Sequence, residues 1–494
     1  MVSAKAMKIA NISQPLNISG LPEEELRWCS VTLNEVLERG SRLEASVFDI
    51  AGKHAREVLA NCRWPVKAVS GKNGIADSVF VPGRVKRKYL IQDAHDAIGF
   101  LGSSEMLDVK PVPCKWLSKN EPDYGQFKVD EGWVLISCSG TIGNLAFISR
   151  TLSGFMVSQH AIRIKAKYAG YVYCFLMNKI GRALVNTNIY GAVISEIEPH
   201  HFAEVPIPDP PAILKQRIHD LVIRSYVLRD ESNTLLDEAE RLLYKALKLP
   251  PLLKLRPHYF DNSADLRNYA MKLSDLSGRF DASYHVPIVG SIIQRLMPEA
   301  KEITTLGDPR ISKRIILPGR FARVYVEEGQ GIPFFGGKQI YELDPANKKF
   351  LSFAKHGDRI KRDLTLTHNM TLITRSGTIG KVALVPKHWE NWIANEHVIR
   401  VEPANTDIAG YLYVFLATEY GRSLITRFTY GSVVDEIDDY HVSRVPFPML
   451  KDSAVQSEIN RLALEANAKR TEAYHAEQKA IRITNDEVIH TSEK

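Results

Sequence analysis

Two stretches of the chain place apolar or small residues at alternating steps of four and three, the spacing of a coiled-coil seam. In the first stretch these positions are Leu214, Ile218, Leu221, Ser225, Leu228, Ser232, Leu235, Ala239, Leu242 and Ala246. In the second they are Ile459, Leu462, Ala466, Lys469, Ala473, Ala476 and Ala480. The pattern predicts one long helix within 212–250, roughly 50 Å in length, and another within 451–494.

The first seam carries large side chains and the second is rich in alanine, so we expect the two helices to pack against each other. Pro250 and Pro251 end the first helix, because proline cannot continue the helical hydrogen bonding. The alternative is that each helix is amphipathic by itself and lies against its own domain.

Shorter apolar runs precede each helix and occur in two similar sets. Runs at 133–137 and 145–148 flank a Ser-Gly-Thr-Ile-Gly turn, and runs at 370–374 and 382–385 flank a second copy of that turn. Each set predicts a β-hairpin, followed by a strand, a helical segment and a Val-Pro-x-Pro ending. This mixture of elements predicts an α+β fold.

The two sets belong to a tandem duplication. Ser139–Gly143 recurs as Ser376–Gly380, and the same shift of 237 residues relates Arg42–Ser46 to Arg279–Ser283. Other matches in the same order are Pro82–Arg84 with Pro318–Arg320, Gln159–Arg163 with Glu396–Arg400, Gly170–Tyr173 with Gly410–Tyr413, Tyr190–Val193 with Tyr430–Val433, and Val205–Pro208 with Val445–Pro448. A repeat of this length is a whole domain and not the unit of a solenoid.

The duplication also predicts domain boundaries. They are an N-terminal extension at 1–30, a first domain at 31–211, a first helix at 212–250, a linker at 251–272, a second domain at 273–450, and a second helix with a C-terminal tail at 451–494. Residues 47–80 and 284–316 share little, so one framework carries two different inserts. The parts that differ extend over roughly residues 47–130 and 284–368.

Composition narrows the class of protein. Hydrophobic residues make up 45% of the chain and charged residues 24%, as in globular domains. No apolar stretch is long enough to span a membrane, and the N-terminus lacks the features of a secretory signal, so we expect a cytoplasmic protein. The odd and scattered cysteines predict neither a disulfide framework nor a metal site; they are Cys29, Cys62, Cys114, Cys138 and Cys174.

The net charge of +7 permits a nucleic-acid partner without requiring one. Basic residues cluster in the dissimilar part of each copy. The candidate DNA contacts are Arg84, Lys86, Arg87 and Lys88 in the first copy, and Lys313, Arg314, Arg320, Arg323, Lys355, Arg359, Lys361 and Arg362 in the second. Such side chains neutralise phosphates and read guanine. The alternative is a solvated basic surface without a ligand.

Sequence motifs of catalysis are absent from the chain. It has no phosphate-binding loop, dinucleotide fingerprint, zinc-protease helix or nucleophile elbow. Asp209-Pro210-Pro211 is followed by Ala212 and not by the aromatic residue of an amino-methyltransferase site. Asp108-Val109-Lys110 is only a fragment of a nuclease pattern, and we interpret it as the end of a surface strand.

Two further side chains that recur in both copies are candidates for catalytic groups. His160 recurs as His397, but we find no serine or cysteine partner at a fixed spacing, so we expect a structural histidine. Glu196 recurs as Glu436 after the Tyr-Gly pairs, and we expect it to cap the following helix or turn. We therefore predict no catalytic residue and no metal ligand.

The duplicated order of these motifs resembles the specificity (S) subunits of Type I restriction-modification systems. The resemblance covers about residues 30–490, and it rests on the two Ser-Gly-Thr-Ile-Gly turns, the runs at Tyr190 and Tyr430, the Val-Pro-x-Pro endings and the long helices. It implies that each copy is a target recognition domain that reads half of a split, asymmetric DNA sequence. The two separate half-sites would be read by the parts that differ, residues 47–130 and 284–368.

The resemblance also implies partners. The two long helices would pair antiparallel as a spacer through Leu214, Ile218, Leu221, Leu228, Leu235, Leu242, Ile459, Leu462, Ala466, Ala473 and Ala476. Two methyltransferase (M) subunits would bind S-adenosylmethionine and methylate adenine, and restriction (R) subunits would join them. The S subunit itself would carry no cofactor and perform no chemistry.

Two departures keep alternatives open. The first copy has a long N-terminal part, and the chain is longer than we expect for such subunits. It could instead be the specificity subunit of a related phage-defence system, a DNA-modifying methyltransferase or nuclease, or a protein-binding scaffold.

Overall fold

The computed structural model describes residues 30–92, 94–191, 195–255, 270–276, 278–431 and 434–490. Several predictions fall outside these residues: nearly all of the N-terminal extension with Cys29, most of the linker, the ends of the Tyr190 and Tyr430 runs, and the last four residues of the tail.

The fold is α+β, as predicted. The helices are α1 (Leu33–Glu38), α2 (Ile50–Ala60), α3 (Arg150–Ser153), α4 (Ala169–Met177), α5 (Lys179–Asn186), α6 (Pro199–Ala203), α7 (Ala212–Ala246), α8 (Pro287–Leu296), α9 (Phe353–Arg359), α10 (Thr406–Ala417), α11 (Glu419–Thr426), α12 (Asp439–Ser443) and α13 (Ser453–Ile483). The last turn of α13 continues as a π-helix over Thr484–Ile489. None of the described helices has both the length and the apolar character needed to cross a bilayer.

The strands are short and fall into two series. They are β1 (Val66–Ala68), β2 (Ser78–Phe80), β3 (Ala97–Leu101), β4 (Lys115–Ser118), β5 (Val134–Ser137), β6 (Leu145–Phe147), β7 (Met156–Val157), β8 (Ala161–Lys165), β9 (Pro206–Pro208), β10 (Ala300–Thr305), β11 (Ser312–Ile316), β12 (Tyr325–Val326), β13 (Ile332–Phe335), β14 (Lys349–Leu351), β15 (Thr371–Thr374), β16 (Val382–Leu384), β17 (Ile393–Ala394), β18 (Val398–Pro403) and β19 (Pro446–Leu450).

The chain divides into two compact units, each of which takes a part of both long helices. Unit 1 comprises Met1–Leu107, Pro111–Tyr226 and His475–Lys494, and unit 2 comprises Asp108–Lys110 and Val227–Tyr474. The predicted domains at 31–211 and 273–450 form most of unit 1 and unit 2, respectively. A division of each helix between the units was not part of the prediction.

Each unit contains a four-stranded antiparallel sheet with the same strand order, which we call the framework sheet. The order is β2-β8-β5-β6 in unit 1 and β11-β18-β15-β16 in unit 2. The hairpins β5–β6 and β15–β16 are those predicted around the two Ser-Gly-Thr-Ile-Gly turns. The duplication found in the sequence therefore corresponds to two sheets with the same strand order.

A second sheet in each unit, which we call the variable sheet, has all but its last strand in the part where the sequences diverge. Its order is β4-β3-β7 in unit 1 and β12-β14-β13-β17 in unit 2. A single bridge between Leu90 and Trp116 occupies in unit 1 the place that β12 occupies in unit 2. The variable sheets therefore share an arrangement but differ in extent.

The framework of each unit docks closely on its own long helix. The amide of Gly170 in α4 donates to His219 Nδ1 at 3.0 Å, and the amide of Gly410 in α10 donates to Asn460 Oδ1 at 2.7 Å. A β-carbon at either glycine would collide with the backbone of α7 or α13. Glycine is required here because the helices approach so closely.

The Val-Pro-x-Pro endings are hydrogen-bonded to α4 and α10. The hydroxyl of Tyr171 donates to the Pro208 carbonyl at 2.5 Å, and the hydroxyl of Tyr411 donates to the Pro448 carbonyl at 2.7 Å. Both tyrosines are fully buried. These bonds satisfy buried polar groups and hold β9 and β19 in place.

The two long helices pair antiparallel, as predicted. In unit 2, Lys469 Nζ lies 2.7 Å from Glu231 Oε2, and Leu228 shares a buried cluster with Ala473. Further along α7, Ala239 and its apolar neighbours share a core with the N-terminal part of α13. Each long helix also packs against its own framework. The two alternatives considered from the sequence, pairing of the helices and packing of each helix on its own domain, therefore both occur.

This double role widens the buried face of α7. Among the predicted seam residues, Ile218, Leu228, Ile459, Leu462, Ala466 and Ala473 are buried, whereas Leu214, Leu221, Leu235, Leu242 and Ala476 are half-buried. Val222, Leu236 and Leu243 are buried as well. A helix that contacts two surfaces needs a broader apolar face than a two-stranded seam provides.

The C-terminal segment of the chain completes the core of unit 1. Ala480, Ile483, Val488 and Ile489 belong to the same buried cluster as the framework sheet of that unit. The Tyr173 hydroxyl donates to Glu477 Oε1 at 2.6 Å. The first unit is therefore finished by the last part of the chain.

Ending the chain after Tyr474 should selectively destabilise unit 1. The truncation removes three large aliphatic side chains from its core, and each contributes about 1.5–3 kcal/mol when buried. Hydrogen exchange measured by mass spectrometry should show β5 and β8 losing protection, while β15 and β18 keep theirs. A chain ending at His490 is the matched control, and equal protection of unit 1 in both chains would contradict the assignment.

Candidate nucleic-acid interface

The Ser-Gly-Thr-Ile-Gly turns project from the framework sheets in the same backbone conformation. Gly140 and Gly143 have φ angles of +73° and +88°, and Gly377 and Gly380 have +71° and +81°. Only glycine adopts this left-handed region without strain. The repeated motif therefore encodes one turn geometry.

A buried arginine joins the framework sheet to the variable sheet in each unit. Arg163 on β8 donates to the carbonyls of Val157 in β7 at 2.5 Å and of Ser158 at 2.8 Å. Its counterpart Arg400 on β18 donates to the carbonyls of Ala394 in β17 and of Val398. The two arginines lie at equivalent positions of the duplicated sequence, and this recurrence is the only sign of their role that the sequence offers.

Both guanidinium groups are completely buried. Burial lowers the pKa of Arg163 to about 10 and that of Arg400 to about 9, so both keep their charge at neutral pH. Main-chain carbonyl dipoles stabilise both charges, and the carboxylates of Asp363 and Glu396 also favour the charged form of Arg400.

The segment that leads from the framework sheet to the variable sheet carries an exposed arginine in both units. Arg84 Nη2 lies 3.8 Å from Glu196 Oε1, and Arg320 Nη2 lies 3.4 Å from Glu436 Oε1. The arginine side chains are 80% and 72% exposed.

We expected these glutamates to cap the following helix or a turn, and the helix alternative is wrong, because the N-cap residues of α6 and α12 are Glu198 and Asp438. Asp438 caps α12 by accepting from the His441 amide. The backbone of Glu196 instead pairs with Tyr190, closing a turn, while its side chain faces Arg84. Glu436 pairs with Tyr430 in the same way.

The four basic candidates of unit 1 lie on one extended segment after β2. Lys86 and Lys88 are exposed. Arg87 is only half exposed, because its guanidinium stacks 5.1 Å from the centre of the Phe100 ring. Arg87 thus packs against the variable sheet, while the two lysines and Arg84 remain accessible.

The candidates of unit 2 are more dispersed. Lys313 and Arg314 on β11 share one carboxylate, Glu402, at 3.0 and 3.6 Å. Arg323 is largely buried and paired with Glu396. These carboxylates partly neutralise the three basic side chains, so the positive charge available to a ligand is smaller than the sequence indicated.

The remaining candidates of unit 2 lie on α9 and the turn of π-helix that follows. Arg359 packs over the Phe321 ring at 4.7 Å and donates to the Gly319 carbonyl. Lys355, Lys361 and Arg362 are exposed. Arg362 lies 3.3 Å from Asp363, whereas the described residues supply no carboxylate partner for either lysine.

The structure brings a serine to one of the repeated histidines, which the sequence analysis missed. The Ser376 hydroxyl lies 2.7 Å from His397 Nδ1, and His397 Nε2 lies 3.7 Å from Glu396. In unit 1 the Ser139 hydroxyl instead donates to Glu196 at 3.4 Å. The contact anchors the turn in unit 2 and is not a repeated feature.

We expected Asp108 to lie at the end of a surface strand, and this expectation is wrong. It is 8% exposed and bridges to Glu342 within unit 2. Burial, reinforced by the Asp108 carboxylate, raises the pKa of Glu342 to about 8. In the part of the chain that the structure describes, no group of three or more potential ligands is placed to hold a metal ion.

Comparison with known proteins identifies the framework of unit 1. Residues 60–224, which contain β1–β9 and the start of α7, match the family described as Type I restriction modification DNA specificity domain. Residues 60–224 are thus similar to a Type I restriction-modification DNA specificity domain. Since unit 2 repeats the framework-sheet order of this specificity domain, the family resemblance stated from the sequence is confirmed.

Solved structures of specificity subunits are also similar to this chain. One is the S subunit of a Type I restriction-modification system from M. genitalium, with 11% identity over 86% of this chain and 94% of that one, and a TM-score of 0.31. Another is the HsdS subunit from Thermoanaerobacter tengcongensis, with 14% identity over 85% and 99% of the two chains, and a TM-score of 0.26. No curated protein matches the chain.

Replacing Arg400 with Met should lower the free energy of unfolding of unit 2 by about 1–3 kcal/mol, because buried carbonyls lose their donors. Arg400→Lys should fall between the parent and Arg400→Met, since it keeps the charge but not the forked donor. Urea denaturation and hydrogen exchange of β18 provide the measurement. Arg461→Met removes an exposed, ion-paired arginine of α13 as a control, and an equal effect of both Met variants would contradict this role.

Unit 2 should lose stability as the pH rises from about 5 to 8, through the contribution of Glu342. Its carboxyl stays protonated in the folded chain up to about pH 8, whereas the unfolded chain ionises near its ordinary value of 4.5. Folding therefore binds a proton within this window. The difference in unfolding free energy between the parent and Glu342→Gln should vary with pH, and a constant difference would contradict the prediction.

Proposed function

We propose that this chain is the non-catalytic DNA-recognition subunit of a Type I restriction-modification complex, and that each unit reads one half of a bipartite, asymmetric sequence. The observation that carries the proposal is the combination of a repeated framework with two dissimilar basic surfaces. A common framework presents both units to DNA in the same way. The dissimilar parts then read different bases, so the expected target is asymmetric.

The accessible cations support DNA as the ligand. Arg84, Lys86 and Lys88 in unit 1, and Lys355 and Lys361 in unit 2, can neutralise phosphates and release counterions. Base edges in the major groove would be read by other side chains of the variable sheets and their loops. The half-buried Arg87 and Arg323 support these loops from beneath.

The proposal assigns the chemistry to partners. Two methyltransferase subunits, each binding S-adenosylmethionine, would dock on the repeated framework and long helices and methylate adenine. Restriction subunits would join to cleave unmodified DNA. The paired helices would act as the spacer between the half-sites, and the specificity chain would need no cofactor or metal ion of its own.

Co-expression of the chain with its methyltransferase partner, followed by mapping of methylated adenines in host DNA, tests this function. A split motif with two different halves is the expected result. A continuous motif would contradict bipartite reading. Methylation or cleavage of DNA by the purified chain without a partner would contradict the non-catalytic role.

The exposed lysines of the two basic surfaces should each contribute to the affinity of the complex for DNA. The double variants Lys86→Ala/Lys88→Ala and Lys355→Ala/Lys361→Ala should each weaken binding of the complex to the mapped duplex several-fold. Each should also reduce the slope of log affinity against log salt concentration by about 2. Lys245→Ala on α7 is the control for an exposed lysine outside the two surfaces. Unchanged slopes in both double variants would show that these surfaces do not contact DNA.

A further inference from the structure

The Pro-Gly-Arg loop is a feature that the two units share despite its position beside their dissimilar parts. In both loops the proline is buried and the arginine is exposed, so the loop is anchored at its base and presents a cation at its tip. The fixed φ angle of proline limits the motion of this tip. The same loop geometry therefore occurs next to two different recognition surfaces.

The carboxylate opposite each arginine is also shared, but its setting differs. In unit 2, Arg375 binds Glu436 Oε2 at 2.5 Å and is only 11% exposed, so Arg320 is the second and more distant cation on that carboxylate. In unit 1 the position equivalent to Arg375 is Cys138, and Glu196 forms an ion pair with Arg84. Both exposed pairs are long, which is typical of weak, solvent-screened contacts.

We propose that Arg84 and Arg320 make the same DNA-phosphate contact in the two units, and that Glu196 and Glu436 hold these arginines until phosphate replaces the carboxylate. The proposal rests on the DNA-recognition function proposed above. It makes the two arginines contacts that do not depend on sequence, and the two glutamates competitors of DNA for the arginines.

The repetition of the arginine argues for phosphate and against a base as its ligand. Two half-sites with different sequences present the same phosphate backbone but different base edges. A residue at the same place in both frameworks can meet the phosphate in both units. Arginine also binds phosphate through two parallel hydrogen bonds, which are stronger than a single long contact to a carboxylate.

The test uses the complex with the methyltransferase partner and measures equilibrium affinity at several salt concentrations. The probes are a duplex with the mapped motif and two duplexes in which one half-site is scrambled. Arg84→Ala should weaken binding by about three- to tenfold on all three duplexes and reduce the salt slope by about 1. The mapped methylation motif should stay the same. Arg320→Ala should behave alike.

Glu196→Gln tests the competition. It should tighten binding by about two- to fivefold, and this gain should disappear in the Arg84→Ala background. Unit 1 gives the cleaner experiment because, among the ion pairs of the described residues, Glu196 pairs only with the exposed Arg84, whereas Glu436→Gln would also disturb the largely buried Arg375. Glutamine can still accept the hydrogen bond from the Ser139 hydroxyl. Hydrogen exchange of β5 and β8 checks that each variant of unit 1 remains folded.

The outcomes separate the inference from the function on which it rests. A changed base preference in the first half-site for Arg84→Ala would overturn the phosphate assignment, and so would an unchanged affinity. If Glu196→Gln tightened binding equally with and without Arg84, its effect would come only from the change in net charge. That result would contradict the proposal that Glu196 competes with DNA for Arg84. If the parent complex itself fails to bind DNA, the proposed function fails.

Discussion

The arrangement of each unit depends on a charged side chain that is bonded entirely to the main chain. Arg163 and Arg400 reach from the framework sheet to the last strand of the variable sheet and bind carbonyl oxygens there. A guanidinium can do this because its nitrogens donate in several directions within one plane. The bonds involve no variable side chain, so the loops of the variable sheet can change in sequence while its attachment stays the same.

This attachment explains how constant and dissimilar parts coexist in one domain. The framework sheet, the Ser-Gly-Thr-Ile-Gly turn and the helix contact at Gly170 or Gly410 recur in both units. The variable sheets keep a common core of three strands and differ in the additional strand β12. Divergence is therefore concentrated where it does not disturb the joint to the framework.

The sequence predicted the parts of the structure that depend on local patterns. The hairpins follow from alternating apolar runs around a glycine turn, and the helices follow from seven-residue spacing. It could not predict contacts between distant segments, such as Ser376 with His397 or Asp108 with Glu342, because nothing in their spacing marks them as neighbours. The buried face of α7 was predicted too narrow for the same reason, since Val222 and Leu236 are buried by a second contact surface.

The completion of unit 1 by residues after Tyr474 has a consequence for how the chain is made. A ribosome delivers the framework of unit 1 long before residues 475–490, which fill its core, so this unit stays partly exposed until unit 2 has been translated as well. Unit 2 has no such delay. Exchange of whole halves between related genes would separate unit 1 from its closing segment. Residues 47–80 differ between the copies but also contact that segment, because Cys62 Sγ and Trp64 Nε1 donate to the carbonyls of Val488 and Glu487. Only an exchange confined to the variable sheet and its loops would leave these contacts in place.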